Sequence, residues 1–273
     1  MELSYIYKAI PDVIEDLKRD YIFGDSIIRN DIFNILEKHC VVVYYPLQDE
    51  KNCGFHTQRF VKDGLEDFVY INTAKTVSEQ VFTAAHELGH VWSVVDKLKE
   101  KLSIEDTISA DEEEQIINRF AAELLMPTEP FINSFHKHFR EFYTDLDHFN
   151  LEALVKIIVL QMNDYMVPYE AVRRRLVETE VISAKSGKLL KDYEDSIVTL
   201  VNVFSRDLNT MLDRVTEKKT IPGFRDLLEQ VEEKHLLDDY TIAKIKKDFE
   251  IHEITVSDEL LNLIIEDRIN GEK

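Results

Sequence analysis

Cysteine is scarce: Cys40 and Cys53 are the only two in 273 residues, and they lie far in sequence from the histidine motif discussed below. They show no C-x-x-C spacing, so they read as free thiols rather than as a disulfide framework. Basic charge is short as well. With 33 Lys and Arg against 53 Asp and Glu, the formal charge is −20 and the pI is near 4.8, so a nucleic-acid partner would find no basic face. The compact basic stretches, Arg173-Arg174-Arg175 and Lys185 to Lys191, are flanked by acids and read as solvated helix faces. Long apolar runs are missing: Leu154 to Leu160 is the nearest, and it contains Lys156, far short of the ~18 residues that span a bilayer. The opening residues mix acids and bases without an apolar core, so no secretory signal is expected, and a reducing cytoplasm is the expected home. Repeats and low-complexity tracts are also missing. The length still allows a full core in one or two domains.

What the chain does hold is one H-E-x-x-H, within Thr83-Ala84-Ala85-His86-Glu87-Leu88-Gly89-His90-Val91-Trp92. On a helix, His86 and His90 stand one turn apart on one face, so two imidazoles reach one ion. Glu87 sits beside them, placed to take a proton from water without being a ligand. Thr76-Val77-Ser78-Glu79 fits a capping box, and the apolar residues from Val77 through Val81, Ala84, Ala85, Leu88, Val91 and Val95 follow a helical rhythm. That burial argues against a pair of merely solvated helix histidines. Gly89 inside the helix costs about 1 kcal/mol relative to Ala, and close approach of another backbone is the expected reason.

Two imidazoles do not complete a tetrahedral zinc site with one position left open; a third protein ligand is needed, and His₂Glu is one of the known catalytic sets. A second capping box, Ser109-Ala110-Asp111-Glu112, opens a helix that runs to Leu125 and stops at Met126-Pro127. Ile117, Phe120 and Leu124 form its apolar ridge, while Glu114, Asn118, Ala121 and Leu125 share a neighbouring stripe. Glu114 is therefore the first candidate for the third ligand, with Glu113 the alternative and Glu112 after it. Each could instead be a helix N-terminal acid that merely favours the dipole. Asn118, one turn beyond Glu114, could orient a liganding imidazole through its free nitrogen.

Ahead of this core, residues 8–20 and 26–39 read as amphipathic helices, the second opening after Gly24-Asp25-Ser26. Cys40 to Tyr45 reads as a strand, Phe55 to Val61 as a second, Asp63-Gly64 as a hairpin turn and Phe68 to Ile71 as the returning strand. Such a sheet either covers the histidine helix or offers an edge on which an extended peptide can lie. Beyond Pro130, His136 and His138 lie in an aromatic segment, where H-x-H on a helix diverges. A zinc peptidase needs a donor for its tetrahedral oxyanion, and Tyr165, Tyr169, His136 and His138 are the candidates. From Leu189 the pattern is helical: one helix to Val215, a break at Ile221-Pro222-Gly223, then helices near 224–235, 239–249 and 257–269.

Ala85-His86-Glu87-Leu88-Gly89-His90, followed by Glu114-x-x-Ile117-Asn118-x-Phe120-Ala121-Ala122-Glu123-Leu124-Leu125-Met126-Pro127, resembles the two signature helices of the ImmA/IrrE metallopeptidases. Phe68 to Thr73 is similar to the strand before the metal helix there, and Val167 to Leu176 to a later helix. Ile117 departs from the usual Ala, and residues from about 181 onward match nothing in the pattern. The resemblance implies an α+β, gluzincin-like fold, a zincin-like domain over 40–180 with a small antiparallel sheet packed on the metal helix; on either side of it the helical pattern itself reads as N-terminal helices over 1–39 and an all-helical accessory region over 181–273. The resemblance implies one Zn²⁺ on His86, His90 and Glu114, with Glu87 as general base. It also implies cleavage of helix-turn-helix repressors of mobile-element, prophage or stress genes. No such segment is read ahead of the catalytic region, so a separately encoded repressor is the expected substrate. The rivals are a non-catalytic regulator with a closed metal site, and a toxin-like hydrolase of a toxin–antitoxin pair.

Overall fold

The structure is a computed structural model and describes residues 3–21, 27–49, 51–61, 64–142, 150–206, 208 and 210–251. Helix α1 spans Leu3–Tyr21 and α2 spans Asp31–His39; Ile6, Ile10, Val13, Ile14 and Leu17 make a buried stripe on α1 at the spacing an amphipathic helix requires. The expected opening of α2 at Gly24-Asp25-Ser26 lies outside the described residues, and residues 27–30 precede the helix rather than join it. The strands are β1 (Val41–Tyr45), β2 (Gly54–Val61) and β3 (Gly64–Asn72). Of the expected turn residues, Asp63 lies outside the described residues.

The sheet order is β1-β3-β2. β2 and β3 form the antiparallel hairpin, with His56 opposite Val69 and Gln58 opposite Asp67. β1 pairs with β3 in parallel, so the sheet is mixed rather than wholly antiparallel. The cause is the chain path: the segment after β1 carries the chain across to the far side of β3 before the hairpin begins. The buried Asn72 side chain pegs that segment, its Oδ1 accepting from Leu47 N and its Nδ2 donating to the carbonyls of Leu47 and Asn52 (2.7 Å for the last). The open edge of β1 is covered by Thr220, which exchanges two 2.9 Å backbone hydrogen bonds with Tyr44. Among the described residues, no strand pairs with the outer edge of β2.

After the sheet come α3 (Val77–Val91), α4 (Val94–Leu102), α5 (Ala110–Leu125), α6 (Thr128–Phe142), α7 (Leu151–Tyr165) and α8 (Tyr169–Glu178). α3 packs along α5, and their shared core includes Val81, Ala84, Ala85, Leu88, Ile117, Phe120 and Leu124. Instead of one helix from Leu189 to Val215 there are two, α9 (Ala184–Asp192) and α10 (Glu194–Ser205), packed on α8 and α7. Residues 214–220 then run along the start of α3 and the edge of β1: Arg214 O accepts from Val77 N at 2.9 Å, and Glu217 N donates to Thr73 O at 3.0 Å. Pairing with an exposed strand edge and an uncapped loop satisfies these backbone groups, so the helical pattern gives way there.

The chain divides into two compact units, Met1–Ile221 and Pro222–Lys273. The second holds α11 (Phe224–Glu233) and α12 (Asp239–Asp248), joined by buried Leu228 and Ile242, by the Phe224 and Phe249 rings at 4.4 Å, and by Lys246 on Glu232 at 2.8 Å. The helix expected near 257–269 lies outside the described residues. Among the described residues, no helix is long and apolar enough to cross a membrane.

Candidate metal centre

Both helices that build the site start on capping boxes. Thr76 accepts from Glu79 N while the Glu79 carboxylate takes Thr76 N, and Ser109 and Glu112 do the same on α5. Each box satisfies two otherwise orphaned N–H groups and fixes where its helix begins, which sets the rotation of every later side chain. Gly89 marks the contact between the two helices. A Cβ there would stand 3.0–3.2 Å from Phe120 and Ile117, so the missing side chain admits side chains of α5, not the neighbouring backbone that the sequence suggests.

This contact brings His86, His90 and Glu114 together, with one ligand atom from each within 4.8 Å of the others. His86 Nε2 and His90 Nε2 are 3.3 Å apart, Glu114 Oε2 is 3.2 Å from His86 Nε2, and Glu114 Oε1 is 3.5 Å from His90 Nε2. Two ligand atoms bound ~2.05 Å from one tetrahedral ion stand about 3.3 Å apart, so all three separations fit such an ion. Among the described residues the cluster holds three protein donors, one fewer than a closed tetrahedral site needs.

The outer nitrogen of His86 is held too. His86 Nδ1 faces Asn118 Oδ1 at 3.2 Å, and Asn118 Nδ2 donates to Glu114 O at 2.8 Å. The amide oxygen can only accept, so the His86 proton belongs on Nδ1 and Nε2 keeps its lone pair for a cation. Glu113 reaches the Nδ1 side of His90, at 3.8 Å, and is not among the three clustered donors. Glu112 is taken up by the Ser109 cap. Burial holds both imidazoles below their usual pKa; His86 is lowered further by His90, and the nearby Glu114 opposes the shift in both. Neutral imidazoles are what a metal requires.

Glu87 is 5% exposed, and burial, helped by the charge of Glu114, pushes its carboxyl up to about 8. Above it lies β2. A Cβ on Gly54 would fall 2.5 Å from Thr83 Cγ2, 2.6 Å from Tyr70 O and 3.5 Å from Glu87 Oε1, so only glycine lets β2 lie this close to α3. Two residues further along the same face, His56 stacks parallel to His90 with centroids 6.1 Å apart, and its Nε2 bonds Asp67 Oδ1 at 2.7 Å. The sequence reading missed Gly54, His56 and Asp67. A glycine at the start of a strand is a signal of close backbone approach, and His56 shares the strand's even-numbered face with it.

The four oxyanion candidates are not brought to this cluster. Tyr169 is buried with its hydroxyl on Leu190 O, and Tyr165 is packed against Phe131 in the core between α6 and α7. His138 is buried on Asp164, which also accepts from Ser134, and the exposed His136 sits beside Phe135. Helix periodicity turned the tyrosines and His138 inward, where packing claims them.

The Arg triplet is a further correction, because one of its three side chains is buried and a second is partly buried, rather than all being solvated. Arg175 is fully buried and bonds Glu123, Thr128 and Met126 O, tying α8 to the end of α5 and the start of α6. Arg173 holds Glu170 and Gly187 O. Only Arg174 is exposed.

Residues 37–177 match the family model Peptidase_M78, described as IrrE N-terminal-like domain. The chain belongs to this family. In the IrrE N-terminal-like region fall β1 to β3, the three clustered donors, Asn118 and the Arg175 clamp. Among solved structures, the chain is similar to a Mycobacterium tuberculosis transcriptional regulator, at 14% identity and a TM-score of 0.41 over 65% of this chain and 52% of that one. It thus spans about half the length of that protein. No curated protein matches the chain.

Proposed function

We propose that this chain is a zinc-dependent endopeptidase that cuts a protein substrate within an extended segment. The observation that carries the reading is the 3.2–3.5 Å triangle of His86, His90 and Glu114 donors with a buried acid one residue away. The three-donor set among the described residues favours this over a regulator whose metal is fully enclosed, which needs a fourth protein donor. Zinc held there would supply Lewis acidity for the scissile carbonyl and would make water acidic enough to be activated near neutral pH.

The chain's own groups supply the rest. Glu87 takes the proton of the attacking water and passes it to the leaving amine. Asn118 holds the outer nitrogen of His86, which fixes the orientation of that ring, and Glu113 places a negative charge on the outer side of His90. The unpaired edge of β2, which passes directly over Glu87, gives an extended substrate backbone a row of partners beside the site. The free thiols at Cys40 and Cys53 suit a reducing cytoplasm. By family resemblance the substrate is a separately encoded helix-turn-helix repressor.

The test is to incubate the purified chain with the repressor encoded beside its gene, with and without a chelator. Cleavage that stops with chelator, and that Glu87→Gln slows by about 10²–10⁴-fold while zinc content is kept, is the expected result. Normal cleavage by Glu87→Gln would remove the role given to that carboxylate.

A further inference from the structure

Beside the metal centre, between α5 and α8, lies a cavity of about 460 Å³. Phe82, one turn before His86 on α3, forms part of its wall, and so does Asn118, the residue that bonds His86. Through Phe82 and Asn118 the cavity adjoins the two helices that carry the three donors. Its lining also carries Arg119 on α5 and Glu170, Arg174 and Glu178 on α8.

These four residues belong to two ion-pair groups, one around Glu170 and one around Glu178. Glu170 accepts from Arg173 at 2.6 Å and from Arg174 at 2.8 Å, with Lys191 at 3.9 Å. Burial alone would raise its carboxyl, but the two guanidinium bonds win and hold it down to about 2. Glu178 is bonded by Arg119 and approached by Arg175 at 3.4 Å, and Glu123 is taken by Arg175. Each of these three carboxylates thus already has at least one guanidinium partner. Among the described residues, Arg174 bonds only through Nε, so its two terminal nitrogens have donors to spare, and its side chain is 61% exposed. The wall thus offers a free planar fork to an acidic side chain.

We propose that this cavity is a specificity subsite that takes an acidic side chain of the substrate near the scissile bond, with Arg174 as the residue that reads it. The inference rests on the peptidase reading for its place in the reaction, but its binding can be measured without turnover. Because the chain carries a formal charge of −20, its overall field repels acidic peptides, so a preference for them has to come from a local site.

The test uses the full chain carrying Glu87→Gln and fluorescein-labelled peptides that differ only in Glu or Lys beside the central bond, read by anisotropy. The Glu peptide is expected to bind about tenfold more tightly, the effect of one charge-assisted hydrogen bond pair. Adding Arg174→Glu should abolish or reverse the preference. Adding Arg19→Glu, an equal charge change at an exposed position on α1, should keep it. Equal binding of the two peptides, or a preference that survives Arg174→Glu, overturns the proposal. Sequencing the cuts made by the wild-type chain in a peptide mixture separates the two claims. Chelator-sensitive cuts without acidic enrichment defeat the subsite and uphold the peptidase; Arg174-dependent acid binding without any chelator-sensitive cut does the reverse.

Discussion

Loading the metal centre at pH 7 should release close to one proton, and that proton should come from Glu87. In the metal-free protein its carboxyl is pushed up to about 8 by burial and by the charge of Glu114, so at pH 7 it is ~90% protonated. A cation held by His86, His90 and Glu114 neutralises Glu114 and sets an opposite charge beside Glu87, which pulls the carboxyl back toward its ordinary range. His86 and His90 contribute less, because burial holds both below their ordinary range and so favours the neutral imidazole. Titration calorimetry in buffers of different ionisation enthalpy counts these protons. The wild type should exceed Glu87→Gln by about 0.9 proton at pH 7 and by only ~0.1 at pH 9, where the free carboxyl is already ionised. Equal proton release by the two proteins at pH 7, or a difference that persists unchanged at pH 9, would refute the reasoning. The same shift acts on folding. A carboxyl raised from 4.5 to about 8 stabilises the metal-free fold fully below pH 4.5, and that stability is lost as pH rises through 8. At ~1.4 kcal/mol per pK unit the loss is on the order of 5 kcal/mol, so chelated protein should melt at lower temperature at pH 8.5 than at pH 5.5, and Glu87→Gln should flatten that dependence.

Other substitutions probe how the site is held. Gly54→Ala forces a methyl to within 2.5 Å of Thr83 and 2.6 Å of Tyr70 O; β2 must retreat, at about 1–3 kcal/mol measured by urea denaturation, with a larger relative loss of cleavage. Gly89→Ala gains helix propensity but presses on Phe120 and Ile117. It should destabilise alone, and a double-mutant cycle with Ile117→Ala should show coupling of about 1 kcal/mol, whereas additive effects would mean the two helices do not touch there. Arg175→Met leaves the Glu123 carboxylate buried without its guanidinium and should cost about 3–5 kcal/mol in chemical denaturation; Arg175→Met with Glu123→Leu should recover much of it.

The metal cluster was the most legible part of the chain because each piece carries a local signal. The i,i+4 spacing of His86 and His90, the two capping boxes and the stop at Met126-Pro127 are short-range facts, and helix periodicity turns them into faces. The oxyanion candidates were illegible for the same reason. Periodicity says that Tyr165, Tyr169 and His138 face inward, but not what they meet there. Likewise, no run of three arginines can reveal from its own residues that Arg175 will lie against Glu123, 52 positions earlier in the chain.

By itself, then, the sequence determined which side chains share a helical face: the two imidazoles and Glu87 on α3, and Glu114 with Asn118 on α5. Only the tertiary structure decided which faces meet. Packing at Gly89 set the height of Glu114 against the histidines, the path after β1 made the sheet mixed, and Gly54 let β2 lie over Glu87 beside His56. The physical reason is range: hydrogen bonds within a helix act over three or four residues and can be read in order, whereas close packing joins residues whose distance along the chain carries no record of their contact.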